Sequence, residues 1–177
     1  MATAVQGKKI IYKYRRLSQQ AIEDAWNLGC VTENGRTLSV DADSTATKDG
    51  SIRTPGVPEQ EITSTSVLVK DDPRPDEIED AVKNGEKFEI WEINLERPVD
   101  GAEGKYHGIY YQGYGTNFEL SSNAEDMSEL SLTFGLEGKG ARGECTVTAE
   151  EEEQASYAFE DTPKKTGTSD GGDNTGA

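Results

Sequence analysis

One histidine, two cysteines and 34 carboxylates are the groups in this 177-residue chain that could do chemistry. His107 offers a single imidazole, which excludes a histidine-rich zinc site and leaves one possible base. No Gly-x-Ser-x-Gly nucleophile turn accompanies it, and its neighbour Tyr106 places it in an aromatic stretch where a structural role is expected. Glycoside hydrolysis needs two carboxylates across a sugar, but among 34 acids some pair is always at hand, so pairing carries no information. Cys30 and Cys145 form no Cys-x-x-Cys pair and read as two small buried hydrophobes in a reducing compartment. Asp41, Asp43 and Thr45 take the odd positions of a calcium loop. Ala46, however, stands where that loop needs glycine, and Ile52 where it needs a bidentate glutamate. Gly138-Lys139-Gly140-Ala141-Arg142-Gly143 has the spacing of a dinucleotide loop, which must open a helix; here Cys145-Thr146-Val147 reads as a strand, so a glycine-rich hairpin turn is expected. Tyr106, Tyr110, Tyr111 and Tyr114 could stack bases or sugars, but no basic residues interleave with them, and core or subunit interface is the better reading. The run Glu150 to Glu153 reads as a solvated helix face. No catalytic residue, cofactor site or metal site follows from these patterns, and no enzyme is expected.

Charge narrows the partners. The net charge is -16, from 34 acidic and 18 basic residues. Such a surface repels phosphate and gains nothing from counterion release, so attraction to DNA, RNA or anionic membranes is not expected. A protein that lets DNA slide past without sticking would carry this sign. No run of about 18 apolar residues is present, and Met1 to Lys9 lacks an apolar signal core.

The elements are mostly strands. Lys9 to Leu17 is rich in β-branched and aromatic residues. Trp26, Leu28, Cys30 and Thr32 alternate with Asn27, Gly29, Val31 and Glu33 as a second strand, and Asn34-Gly35 suits a two-residue hairpin turn leading to a returning strand at 36–40. Residues 41–59 hold almost nothing to bury and read as a long polar loop; Glu61 to Val69 resumes as strand. One packed helix is predicted over about 73–84, with Asp72 as cap, Pro73 or Pro75 in the first turn, acids near its positive end and Asn84-Gly85 as its stop. Phe88 to Leu95 shifts its apolar phase, as a bulge or burial of both faces would make it do. Tyr106 to Leu120 is a long aromatic strand, and Leu130, Leu132, Phe134 and Leu136 alternate strictly with small or polar residues. Thr148 and Glu151 have capping-box spacing before a short acidic helix. The expected architecture is mainly β, an antiparallel sandwich or barrel with one packed helix and flexible termini. It forms one domain over 1–162, with a flexible arm at 1–8 and a low-complexity, disordered tail at 163–177.

A series of short stretches resembles the major tail proteins of siphophages that infect Gram-positive bacteria. It runs through Gly7-Lys8-Lys9-Ile10-Ile11-Tyr12, Thr45-Ala46-Thr47-Lys48-Asp49-Gly50, Thr54-Pro55-Gly56, Glu79-Asp80-Ala81, Ile90-Trp91-Glu92-Ile93-Asn94, Tyr110-Tyr111-Gln112-Gly113-Tyr114 and Asn123-Ala124-Glu125-Asp126-Met127. Order and spacing hold over about residues 7–161, and the chain departs from longer members by ending in its low-complexity tail. The resemblance implies a tail-tube fold and a structural virion protein. Its hexameric rings stack into a conduit for phage DNA, with tape-measure, tail-initiation and terminator proteins as partners. Such a protein is assembled in the host cytoplasm and has no catalytic residue or cofactor. Asp43, Thr45, Thr47, Lys48, Asp49, Gly50, Arg53 and Pro55 of the polar loop are the expected subunit interface, ordered when a neighbour supplies partners. The alternative is a carbohydrate-binding β-domain that uses the tyrosine stretch.

Overall fold

The structure, a computed structural model, describes residues 3–156, so the 163–177 segment lies outside it. Six antiparallel strands form one sheet: β1 (Ile10–Arg16), β2 (Val31–Thr47), β3 (Gly50–Val67), β4 (Lys87–Pro98), β5 (Lys105–Ser121) and β6 (Glu129–Thr146), in the order β1-β4-β5-β6-β3-β2. The sandwich or barrel expected from the sequence takes the form of this single sheet curling on itself. Arg36 of β2 and Glu92 of β4 lie four strand spacings apart, roughly 19 Å in a flat sheet. Yet Nε of Arg36 is 2.7 Å from Oε2 of Glu92, so the two ends of the sheet face each other across a concave side.

The core fills that concave side. Tyr12, Tyr14, Ile62, Phe88, Ile90, Tyr111, Leu130, Leu132 and Phe134 are buried together. Phe134 is the hinge of the aromatic contacts, 5.4 Å from Tyr14 and 5.2 Å edge-on to Phe88. The strict alternation of Leu130 to Leu136 reaches the core as the sequence predicts, because alternate residues of a strand face one side.

Helix α1 (Arg74–Lys83) caps one end of this core with Ile78 and Ala81. Its start is held by the Arg74 amide donating to Asp72 at 3.0 Å, and the Arg74 guanidinium stacks 4.7 Å from the Trp26 ring. At its end the Glu86 amide donates to the Ala81 carbonyl and the Gly85 amide to that of Val82, while Gly85 takes φ 65. This left-handed stop is the one expected from Asn84-Gly85.

Helix α2 (Ala149–Ser156) lies on the convex side of the sheet. The capping box is made: the Thr148 amide donates to Glu151 at 2.9 Å and the Glu151 amide to the Thr148 hydroxyl. The acidic run is not a solvated face throughout. Glu151 pairs with Lys13 at 2.9 Å, and Glu152 accepts from the Tyr106 hydroxyl at 2.8 Å. Sequence spacing could not show that a strand lysine and a tyrosine wait beneath this helix.

Three further expectations are corrected. Asn34-Gly35 is no turn: both residues lie inside β2, opposite Ser64 and Thr63, and neither has positive φ. The Ser64 hydroxyl donates to the Asn34 side chain at 2.7 Å, so the asparagine serves the sheet. The glycine-rich 138–143 stretch is no hairpin turn either, since β6 runs straight through it. Gly138 and Gly140, at φ 69 and 76, form a bulge against Tyr110 to Gln112 of β5. A side chain at 140 would overlap the Tyr111 ring, which is why glycine is required there. Cys30 is exposed, with φ 48, and only Cys145 is partly buried.

Candidate assembly interface

The bulge in β6 marks a fork. Below it β3 pairs with β6, from Val67 opposite Glu129 to Gln60 opposite Leu136. At the bulge β6 stays with β5, and the buried Gln60 amide donates to the Gly138 carbonyl at 2.9 Å. Beyond Gln60, β3 leaves the sheet with only β2 as partner. The segment expected as a polar loop at 41–59 is therefore a two-stranded ribbon, paired from Val40 opposite Pro58 to Thr47 opposite Gly50. Lys48 and Asp49 make its turn, closed by the Thr47 hydroxyl donating to the Gly50 carbonyl at 2.7 Å. Residues 50–59 carry the arm roughly 33 Å past the fork at about 3.3 Å per residue.

Every residue from 36 to 59 is exposed. The pleat nevertheless sorts the side chains. Arg36 pairs with Ile62 and Leu38 with Gln60, so Leu38 and Val40 continue the concave, core-facing side outward, joined by Pro58. Asp41 pushes the ribbon into a bulge against Gly56 and Val57; a Cβ at 56 would sit 2.9 Å from the Asp41 carbonyl oxygen. Val57 is 84% exposed and Ile52 61%. A bare two-stranded ribbon is marginal in water, and its outer edges present unpaired backbone groups that invite another chain.

All eight residues expected at a subunit interface lie on this arm. Asp43, Thr45 and Thr47 follow one another along β2; Lys48 and Asp49 form the turn; Gly50, Arg53 and Pro55 return along β3. Among the described residues, Asp43, Lys48, Asp49 and Arg53 make no ion pair. Sequence reasoning missed the arm's exposed apolar residues: Leu38 and Val40 on one face, Ile52 opposite Thr45 on the other, and Val57 at the bulge. The alternation from Thr37 to Ala42 was the signal for the first two.

The groups that could do chemistry go elsewhere. His107 is exposed on β5 opposite Glu144, and Asp41, Asp43 and Thr45 are strung along a strand where no loop wraps them. Three of the four tyrosines of the stretch are committed within the fold, while Tyr114, beside Lys87, is exposed. Tyr111 is buried in the core, Tyr110 donates to Glu89 at 2.8 Å and stacks 5.3 Å from Trp91, and Tyr106 holds Glu152. On the concave side Glu92 accepts from Arg36 and from the Tyr12 hydroxyl at 2.7 Å, locking β2 to β1 and β4. Burial first, then the hydrogen bond to Glu92, pushes the Tyr12 phenol well above its usual range; burial does the same to Tyr14.

Residues 4–142 match the family of phage tail tube proteins. A protein assigned to the tail of Staphylococcus phage phiMR25 is 30% identical over 168 residues, 93% of this chain and 86% of that one. Among solved structures, the SPP1 tail tube superimposes with a TM-score of 0.67 at 21% identity, covering 95% of this chain and 98% of the other. The tail of an empty gene transfer agent particle, refined with C6 symmetry, gives a TM-score of 0.59 at 14% identity over 78% of this chain and 98% of the other. The six-fold symmetrised baseplate of the anti-feeding prophage gives 0.54 at 6% identity over 82% and 98%.

Proposed function

This chain belongs to the phage tail tube protein family, and from that premise we propose that it polymerises as stacked hexameric rings enclosing the channel through which phage DNA passes. It is a structural component of the phage tail. The observation that carries the polymerisation reading is the arm: residues 39–59 are exposed on both sides, carry large apolar side chains and pair, among the described strands, only with each other. Asp43, Thr45, Thr47, Lys48, Asp49, Gly50, Arg53 and Pro55 are then contacts to a neighbouring copy. The six-fold symmetry of the gene transfer agent tail supports six copies per ring. Six copies at -16 each give about -96 per ring, a field that keeps DNA from sticking wherever acidic residues face the channel.

In this reading residues 1–162 are the tube domain, with 1–8 an N-terminal arm and 163–177 an appended tail. The work is mechanical and no catalysis is involved. The partners are other copies of the chain, a tape-measure protein inside the tube, and initiation and terminator proteins at its ends. Assembly takes place in the host cytoplasm. The carbohydrate-binding alternative is not favoured, because Tyr111 is in the core and Tyr106 and Tyr110 are hydrogen-bonded to Glu152 and Glu89, which leaves Tyr114 as the one exposed ring of the stretch. Sedimentation velocity over a concentration series tests the reading: rings and larger species are expected, and a monomer at every concentration and with initiation components added contradicts it.

A further inference from the structure

The core does not fill the whole concave side of the sheet. It ends at the rung where Tyr12, Glu92, Ile109 and Arg142 stand side by side in β1, β4, β5 and β6. Beyond that rung the concave side continues as an open trough of 560 Å³. Alternate residues of a strand share a face, so the next to enter it are Ile10, Asn94, His107 and Glu144. Strand β4 then leaves the ladder. Its register jumps from Ile93 opposite Gly108 to Pro98 opposite Tyr106, so residues 94–97 bulge where β5 spends His107 alone. The Asn94 side chain accepts from the Glu96 amide at 2.9 Å and turns this bulge, and Arg97 joins the trough wall. At the inner end Arg36 of β2 reaches across to Glu92 at 2.7 Å.

The charge of this trough runs against that of the chain. Acids outnumber bases 34 to 18 overall, yet three arginines and the single histidine gather here against two glutamates. Arg36 is spent on Glu92. Among the described residues Arg97 and Arg142 make no ion pair, and His107 makes none with Glu144. A guanidinium is planar and permanently charged, and its N–H donors match the oxygens of a carboxylate or a phosphate in pairs. We propose that the trough is an oxyanion site taking a small phosphate-type dianion, held by Arg97 and Arg142 with His107 beside them. Two unpaired guanidinium groups balance a dianion, which selects phosphate over a single carboxylate. The net charge of -16 selects a small anion over a long one. A polyanion is repelled along its whole length, whereas one phosphate in a recess feels chiefly the cations around it, because salt screens charges beyond about 8 Å. The site stands on its own residues and holds whether or not the chain assembles.

Because His107 is the only histidine, the full-length protein gives one imidazole NMR signal, and it comes from the site itself. The test follows that signal while inorganic phosphate replaces chloride at fixed pH and ionic strength, at protein concentrations where no larger species sediments. A saturating shift is expected. Arg97→Gln with Arg142→Gln is expected to raise the half-saturating concentration about tenfold or more. Glu144→Gln, which removes the trough's second carboxylate, is expected to lower it severalfold. All three residues are exposed, so melting temperatures without phosphate are expected to match the parent. Phosphate is then expected to raise the melting temperature of the parent and not of the double variant. If the double variant is unsettled, Glu144→Gln decides alone: tighter binding supports the site and unchanged binding overturns it. A short single-stranded DNA titrated in parallel separates a free phosphate from a nucleic-acid backbone, and no saturating shift is expected from it. A drift with phosphate that never saturates, equal titrations of parent and double variant, or a DNA titration that saturates below the phosphate one overturns the proposal.

Discussion

Gly113 shows how closely the sheet is fitted at the level of single atoms. A Cβ there would overlap the carbonyl oxygen of Gly135 and lie 3.1 Å from the Leu136 Cα. Gly113→Ala is therefore expected to destabilise the fold by about 1–3 kcal/mol in urea denaturation. Gly143→Ala, where a Cβ meets nothing within 4 Å, is expected to change stability by less than about 0.5 kcal/mol. Equal effects at the two sites would contradict the packing described here. Tyr14 makes a second case. Its hydroxyl is buried and makes no well-formed hydrogen bond, with the Ser64 side chain as its polar neighbour, so Tyr14→Phe is expected to change stability by less than about 1 kcal/mol. Burial also raises the phenol pKa of Tyr14 and of Tyr12 in the folded state. Unfolded tyrosine ionises near about 10, so above that pH the unfolded chain loses protons that the folded one keeps, and stability falls as pH rises. Melting curves between pH 9 and 11 are expected to show that fall, with a shallower slope for Tyr14→Phe. At this scale the sequence was a poor guide to polar groups. Nothing in the spacing of Glu151 or Glu152 names Lys13 or Tyr106 as partners, because those contacts depend on how α2 lies on the sheet.

Elements whose signals are satisfied within the chain were legible. Helix α1 carries its own start in Asp72 and its own stop in Asn84-Gly85, and β6 from Leu130 to Leu136 faces the core by simple alternation. The arm was not. Its Asp, Gly and Pro residues argue against strand, and the apolar residues on it find no partner in the same molecule to complete the pattern. Asn34-Gly35 misled for a related reason: a turn pair inside a long strand is silent unless the chain reverses there. The arm's separateness also makes a prediction. Its base is paired from Asn34 opposite Ser64 to Leu38 opposite Gln60, and the core uses Ile62 and residues outside the arm. Replacing residues 43–57 by a short Gly-Ser linker is thus expected to leave circular dichroism and the melting transition close to the parent while abolishing tube formation. Normal tube growth by the shortened protein would show that the arm is only a surface loop.

The whole molecule combines a curled sheet with an exposed two-stranded arm. The charge of -16 sets its relation to nucleic acid. At physiological salt, fluorescence anisotropy with double-stranded DNA is expected to show no binding, because neutralised phosphates are the source of such affinity and the chain offers few cations for the task. Micromolar affinity would contradict this. Removing residues 163–177 is expected to leave the melting temperature unchanged, since that segment contains no large apolar residue; a large drop would show that it packs on the domain. The most direct test of the central claim, that this chain builds a tube, is negative-stain electron microscopy of the concentrated protein, alone and with tail-initiation components. The account predicts hollow tubes of stacked rings with six-fold end views. Fields of isolated monomers under every condition would contradict it.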